Sequence, residues 1–436
     1  MYHIRPATEA DIPSLLALAH TGNYINLPPF QHRLEQIVGM SQASFQSALA
    51  GPPAPGHDRS QDRYLFVVDD GHGRCVGTSS IRGGMGNRQH PNLSFQILRI
   101  IRRSEVLRKD DEVTGAPIVA GTSEHVYAVL FQDPYSPTEL GGNVLHPDLR
   151  SQGIGKLLSY ARFHYLRDHR PWFSDRLLAE MMAPIEPYND GNPFWRKVAR
   201  PFIGLSYQNA DRLSTHDTQR EFMYELLPRL VNLSLLPTEV LDSIGGVGPY
   251  TRSAEGMLRA IGFEDSHRID PFDAGPHLET RLSKITELAG ELHTVRVVEQ
   301  RADKSVDCIL SAEVDGSGFH AIRDRVSLEG GEVQLTSEAA RTLDAVNGDS
   351  VRVSRLDFQA APLRKKGLGM PTIDLKSEFE RVRAENHPSM PLAALNVMDF
   401  AEIIERELDT IRRDLATDPN PVPAPESTQD AEATTT

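Results

Sequence analysis

The chain has 436 residues and a formal charge of −14; that length holds two or three packed units, and the acidic balance excludes a general nucleic-acid binder, which needs a basic surface to neutralise phosphates. Two cysteines, Cys75 and Cys308, are too few for a disulfide framework or a cysteine-built metal site and suit a reducing compartment. The N-terminal MYHIRPATEADIP lacks a long apolar core and there is no uninterrupted run of about 20 apolar residues, so neither a secretory signal nor a membrane span is expected, and the expected location is cytoplasmic.

Tyr2 to Arg5 reads as a short strand. Thr8 is placed to cap a helix carrying Ile12, Leu15, Leu16 and Leu18, with Asp11 as its capping-box partner. Leu34 to Ala48 reads as a second helix. Tyr64–Val68 and Cys75–Ile81 form a hairpin around the turn at Asp69 to Gly73, and Leu93–Ile100 and His125–Phe131 are further strands across a charged, irregular stretch.

The stretch from Glu139 to Leu166 organises the rest. Val144 and Leu145 run into a His146-Pro147-Asp148 turn, then Arg150, Gly153 and Gly155. An apolar helical face follows in Ile154, Leu157, Leu158, Ala161 and Tyr165. Glycines between a strand and a helix let the backbone turn its free N–H groups toward an anion, so Ser151 to Gly155 is a candidate pyrophosphate cradle; a tight turn without a ligand is the alternative. RLLAEM from Arg176 is a strand, and Trp195 in the following segment reads as a core anchor. Thr238 is expected to cap one helix, Thr251 or Ser253 to start another ending at Gly262. Five Val- and Ile-rich strand candidates fill 295–356, with one short helix at Thr336 to Leu343. A basic linker lies at Ala361 to Pro371. Asp399 is expected to cap a last helix whose stripe Phe400, Ile403, Ile404, Leu408 and Ile411 must bury on the body or on a partner. From Pro421 the composition is that of a disordered tail.

Arg-Ser-Gln-Gly-Ile-Gly at Arg150 to Gly155 resembles the acyl-coenzyme A loop of the GCN5-related N-acyltransferases. The wider chain resembles the arginine N-succinyltransferases of arginine catabolism. That likeness rests on IRPATEADIPSLLALA from Ile4, LHPDLRSQGIGKLLSYARF from Leu145, AEM from Ala179, NPFW from Asn192, NADRLS from Asn209, IGGVGPYTRSAEGMLRAIGF from Ile244 and PFDAGPHLE from Pro271. The resemblance implies an α/β (α+β) acyltransferase fold, a mixed, largely antiparallel sheet flanked by helices. It implies an acyl-coenzyme A-binding unit over 1–215 and a partial second acyltransferase-like half over 216–290. A β-rich domain over 291–360, a linker and helix over 361–420 and the tail over 421–436 complete the expected division. The implied cosubstrate is a coenzyme A thioester, with no metal. The implied partner is a small, basic amino-acid amine, with no nucleic acid or membrane, and assembly with like or unlike chains is open.

Asn143, Val144, Leu145, Arg150, Ser151, Gln152, Gly153, Ile154 and Gly155 are the cofactor-binding residues that the resemblance implies, the first three through strand-like pairing with the pantetheine arm. Glu139 matches the family's glutamate in an SELC stretch; it is a candidate for the amine proton or the cationic acceptor, and a surface ion pair is the plain reading. Asp273 and Glu279 are candidate acceptor contacts, with capping the competing use of Asp273. Arg82 and Arg99 are candidates for an acyl carboxylate. The family segment IGxVHPxTxPA carries a histidine proton donor where this chain has Gly248. The implied member is therefore divergent, with Tyr250 a candidate replacement acid or a turn residue, and His216, His267 and His277 replacements only if the fold brings one close. A non-catalytic coenzyme A-binding or scaffold subunit is the alternative function.

Overall fold

The computed structural model describes residues 1–22, 27–103, 109–110, 117–118, 122–186, 189–214, 221–300, 304–314, 318–358, 370–375, 377–378, 381 and 397–416. The strands are β1 His3–Pro6, β2 Arg63–Asp69, β3 Cys75–Arg82, β4 Asn92–Arg103, β5 Lys109–Asp110, β6 Pro117–Ile118, β7 Thr122–Asp133, β8 Thr138–Leu145 and β9 Arg176–Glu180. They continue as β10 Leu230–Asn232, β11 Glu264–Ile269, β12 Pro276–Arg281, β13 Glu291–Val298, β14 Val306–Val314, β15 Gly318–Glu329, β16 Glu332–Thr336, β17 Ser350–Arg355 and β18 Thr372–Asp374. The helices are α1 Ile12–Ala19, α2 Gln31–Ala50, α3 Ile154–Asp168, α4 Arg200–Ile203 and α5 Tyr207–Ser214. After them come α6 Glu221–Leu226, α7 Thr238–Leu241, α8 Arg252–Ala260, α9 Ser337–Thr342 and α10 Val397–Leu415. The linker at 361–369, the tail from 417, His216 and most of the charged stretch after Arg103 lie outside the described residues.

One sheet runs through the molecule in the order β10-β7-β4-β11-β12-β9-β8-β3-β2-β1-β15-β14-β17-β13-β16, with β18 on β4. Among the described pairings β8–β9, β13–β16 and β18–β4 are parallel and the others antiparallel, the mixed, largely antiparallel sheet expected. The hairpin β2–β3 forms where the alternating apolar residues placed it. Strands β11 and β12, from the stretch following α8, are inserted between β4 and β9 and join the two ends of the N-terminal unit into one layer. The C-terminal strands continue the same sheet, because β15 pairs with β1.

Helix burial follows the apolar spacing. Ile154, Leu157, Leu158, Ala161 and Tyr165 on α3 share a core with Leu140, Leu177, Ala179 and Leu278 of the sheet and Leu258 of α8. Trp195 is fully buried in a second core with Phe194 and Phe272, as a core anchor should be. The stripe of α10 is buried on this chain's own sheet. Ile403, Ile404 and Leu408 pack on Leu98, Ile100, Val129 and Phe131 of β4 and β7, with Phe400 and Ile411 at the margin.

The Thr8–Asp11 capping box is present, the Thr8 N–H donating to Asp11 Oδ2 at 2.8 Å. Two expected caps are not. Pro237 precedes α7 and Thr238 is its first residue, since a proline without an N–H suits the position before the first turn. Helix α10 begins at Val397, so Asp399 lies inside the helix and not at its cap.

Beside the insertion of β11 and β12 lies a buried charge cluster. Arg176 Nη2 is 2.7 Å and Arg268 Nη1 3.1 Å from Asp133 Oδ2, and both guanidinium groups also reach Glu279. Burial pushes the Asp133 carboxyl up, but the two arginine charges outweigh it and hold it below the ordinary value. Asp133→Asn leaves two buried cations short of an anion and should cost about 3–5 kcal/mol in urea unfolding; an unchanged midpoint refutes the coupling. Leu408→Ala should cost about 2–5 kcal/mol, and a shift within error would show that α10 is not anchored on β4 and β7.

Candidate active site where β8 and β9 part

Strand β8 keeps β3 as a neighbour along most of its length, from Glu139 opposite Arg82 to Leu145 opposite Gly77. It pairs with β9 only at Thr138 and Glu139. Beyond Glu139 that edge of β8 has no neighbouring strand among the described residues, so the two strands part there. On its other edge β8 meets a register shift of β3 between Thr78 and Ser80, opposite Gly141 to Val144. Gly142 sits at φ 63°, and a Cβ there would lie 2.6 Å from Ser80 Oγ, so the position needs glycine. Arg162 of α3 reaches into the shift and donates from Nη1 to the carbonyls of Ser80 (3.0 Å) and Gly141 (3.1 Å). Burial pulls its pKa down to about 9, still above neutrality. The strand predicted from Val144 and Leu145 is thus longer than its propensity suggests, because β3 and Arg162 hold the weak glycine stretch.

At the other end of β8, Ser151 (φ 65°) and Gly153 (φ 80°) both take left-handed backbone and turn the chain into α3, whose N-terminus no side chain caps. Gln152 Nε2 donates to the Asp148 carbonyl at 3.1 Å and braces the turn. Arg323 of β15, ion-paired with Asp307, donates to the Gly153 carbonyl at 3.0 Å and adds a cation that local sequence gave no reason to expect. Left-handed turns, helix N–H groups and the charges of Arg150, Lys156 and Arg323 suit a pyrophosphate.

Pairing register sorts the side chains of β8, β9 and β12. Leu140, Leu177, Ala179 and Leu278 face α3, whereas Glu139, Leu178, Glu180, His277 and Glu279 share the opposite face. Glu139 is buried, with Arg82 Nε 3.4 Å from its Oε2. Burial above all, reinforced by the charge of Glu180, pushes its pKa above the ordinary carboxylate value, and Arg82 opposes that only in part. Arg99 instead pairs with Glu124 on a distant strand, so of the two candidate arginines only Arg82 is beside Glu139.

Three other acceptors converge next to Glu139. Ligand atoms of Glu180, Asp270 and His277 lie within 4.8 Å of one another. His277 is 1% exposed, and its Nε2 has no hydrogen-bond partner while standing 3.7 Å from Glu180 Oε1. Burial pulls the His277 pKa down to about 4, so the ring is neutral at neutral pH. Among the replacement candidates, His277 is the histidine that the fold brings to this face.

The other sequence candidates are placed differently. Asp273 accepts from the N–H groups of Gly275 (2.7 Å) and Ala183 (3.1 Å), the structural use weighed against substrate contact. Glu279 is taken up by Arg176 and Arg268. Tyr250 is 70% exposed, and its ring stacks on Arg150, 5.8 Å from Cζ to centroid. It therefore joins the glycine turn, while Glu139 sits at the opposite end of β8, about 20 Å of extended chain from Leu145. The N–H of Gly248 donates to the Met182 carbonyl two residues beyond Glu180. Gly248 does not have left-handed φ, so side chains are conformationally allowed there; a Cβ would meet the Ala183 and Met182 carbonyls at 3.1 and 3.2 Å.

A strand edge without a partner, a glycine turn into α3 and a buried carboxylate where the strands part are the equipment of an N-acyltransferase. The family described as arginine N-succinyltransferase beta subunit matches residues 2–287. The arginine N-succinyltransferase subunit beta of Pseudomonas aeruginosa is 33% identical over 303 residues, which is 69% of this chain and 82% of that one. The arginine N-succinyltransferase of Escherichia coli is 27% identical over 361 residues, 82% of this chain and 98% of its own length. The solved structure of arginine/ornithine succinyltransferase subunit AI from Pseudomonas aeruginosa superposes with a TM-score of 0.68 at 25% identity, covering 82% of this chain and 99% of that one. The chain belongs to the arginine N-succinyltransferase family.

The two loop glycines should respond differently to substitution. A Cβ at Gly153 would meet Arg323 Nη1 and left-handed φ, so Gly153→Val should lower the melting temperature along with coenzyme A affinity. Gly155 has only Met257 Cε at 4.0 Å, so Gly155→Val should leave the melting temperature alone and weaken coenzyme A at least about tenfold by calorimetry. Unchanged affinity in both variants would remove the turn from the binding site.

Proposed function

We propose that this chain transfers an acyl group, succinyl or a close relative, from a coenzyme A thioester to the amine of a basic amino acid such as arginine. The observation that carries this reading is the open edge of β8, with the glycine turn at one end and buried Glu139 at the other. The backbone of Asn143, Val144 and Leu145 would hold the pantetheine arm as a neighbouring strand would. The turn from Arg150 through Ser151, Gln152, Gly153 and Ile154 to Gly155 would hold the pyrophosphate, with Tyr250 packed on Arg150 beside it. Arg82 is the cation placed to meet an acyl carboxylate next to Glu139.

Glu139 would take the amine proton, directly or through one water, and its raised pKa makes it a stronger base than an ordinary carboxylate. Unpaired N–H groups along the β8 edge are donors for charge developing on the thioester oxygen. Asp273 and Glu279 would support the site, the one by fixing the turn at Gly275, the other by neutralising Arg176 and Arg268. Gly248 supplies no acid, so the thiolate would leave unaided or with the Tyr250 hydroxyl. The relatives' names describe subunits, which supports assembly of this chain with like or unlike chains. No described helix is long and apolar enough to cross a membrane, which fits an enzyme of small soluble substrates. The missing side chain at Gly248 favours one second reading, a coenzyme A-binding subunit without turnover.

Thiol release at saturating succinyl-coenzyme A and arginine tests the proposal. Glu139→Gln should cut kcat by about 10²-fold or more. Because Glu139 works ionised and its pKa is raised, wild-type kcat should fall as pH drops through a value above the ordinary carboxylate range, and the variant should lose that limb. Tyr250→Phe should be nearly silent if no acid is needed; a loss of about 10²-fold would give it the acid's role. Firm coenzyme A binding without turnover on any amine would leave the subunit reading.

A further inference from the structure

The cluster of Glu180, Asp270 and His277 is left unused by the thioester site proposed above. Its atoms come from three strands or strand ends: Glu180 closes β9, His277 lies directly across from it on β12, and Asp270 follows β11. Each is held by its surroundings. Asn92 Nδ2 donates to Glu180 Oε1 at 3.2 Å. Asp270 Oδ1 accepts from the N–H groups of Phe272 (2.8 Å) and Asp273 (2.9 Å), which fixes the direction of the carboxylate. His277 is the second observation. Its ring is buried, neutral and aimed at Glu180, and its Nε2 lacks a hydrogen bond. A buried polar atom without a partner costs free energy comparable to a lost hydrogen bond, so a ligand that donates there removes the penalty. Glu180 and Asp270 are only half-buried, so the cluster has a mouth toward solvent.

We propose that Glu180, Asp270 and His277 bind the cationic side-chain group of the acceptor amino acid, a guanidinium or ammonium, while its reacting amine faces Glu139. Two carboxylates, joined by the imidazole Nε2 when the ring takes its Nδ1–H tautomer, offer acceptors to a group that carries only N–H donors and positive charge. The same argument excludes the reacting amine from this cluster. Paired carboxylates stabilise the protonated form of an amine, whereas a nucleophile must lose that proton. Glu139 with Arg82 beside it is less anionic and suits the nucleophile; Glu180 is close enough to influence its charge. The cluster thus selects acceptors by the charge at their far end.

This inference rests on the proposed acyl transfer, and two arms keep the failures apart. In the first, thiol release is measured with arginine and with citrulline, which keeps the shape but carries no side-chain charge, using succinyl-coenzyme A. Wild type should prefer arginine in kcat/KM, and Asp270→Asn and His277→Leu should each erase at least about tenfold of that preference through KM. KM for succinyl-coenzyme A should not move. Equal losses on arginine and citrulline, or none, overturn the assignment. In the second arm arginine and citrulline are titrated calorimetrically into coenzyme A-saturated protein, a readout independent of turnover. Arginine should bind more tightly, and Asp270→Asn should abolish the difference. If turnover is absent but this difference is present, acyl transfer fails and the cation site stands. If Mn²⁺ or Zn²⁺ binds the wild type, displaces arginine and is lost with Asp270→Asn, the cluster is a metal site and the proposal falls.

Discussion

A single buried guanidinium sets the shape on which the site depends. Arg162 enters the sheet from α3 and donates to the Ser80 and Gly141 carbonyls where β3 and β8 lose register. Without it two carbonyls at the shift would give up hydrogen bonds in a buried place, and regular pairing would be the cheaper arrangement. The shift lies on one edge of β8, and on the other edge β8 parts from β9 after Glu139, which leaves that backbone without a strand neighbour among the described residues. The arginine's own burial is unfavourable, which its lowered pKa reflects; carbonyl bonds and the nearby Glu139 charge offset part of that cost.

The pairing register of β8 also divides labour between the two faces. Leu140 and Leu177 seal α3 onto the sheet, while the residues next to them, Glu139 and Leu178, point to the other side. A slip of one residue would send Glu139 into the apolar core and Leu140 into the polar face, so packing of α3 protects the placement of the carboxylate. On the polar face the charges are graded. Asp133 with its two arginines is saturated and inert, whereas Glu139 and Asp270 retain raised pKa values and remain responsive.

Local chemistry was readable where one stretch contains all its parts. The Arg150–Gly155 turn, the β2–β3 hairpin, the capping box at Thr8 and the stripe of α10 each follow from spacing within a few residues. What stayed hidden depends on pairing between distant segments. Arg162 looked like any polar position on α3, and Arg323 gave no sign that it would reach Gly153 across the fold. In PFDAGPHLE, Asp273 is taken up by backbone N–H groups and Glu279 by arginines, while His277 converges with Glu180 and with Asp270, the residue just before the stretch. Tyr250 is near Gly248 in sequence, yet two residues through a turn carry its ring to Arg150. Thr238 and Asp399 are not caps because α7 begins one residue and α10 three residues earlier than the sequence spacing implies.

Strand β1 has a consequence for how the molecule is made. It leaves the ribosome before β2, which covers one of its edges once residues 66–69 emerge. Its other edge is covered only by β15, which pairs Ile322 with His3 and Ala321 with Ile4. Throughout the synthesis of the intervening chain, the N-terminal unit carries a bare strand edge able to pair with a neighbouring nascent chain. High contact order at this one seam therefore makes the C-terminal β-rich stretch an intramolecular guard against aggregation, and premature termination before β15 would release a sticky fragment.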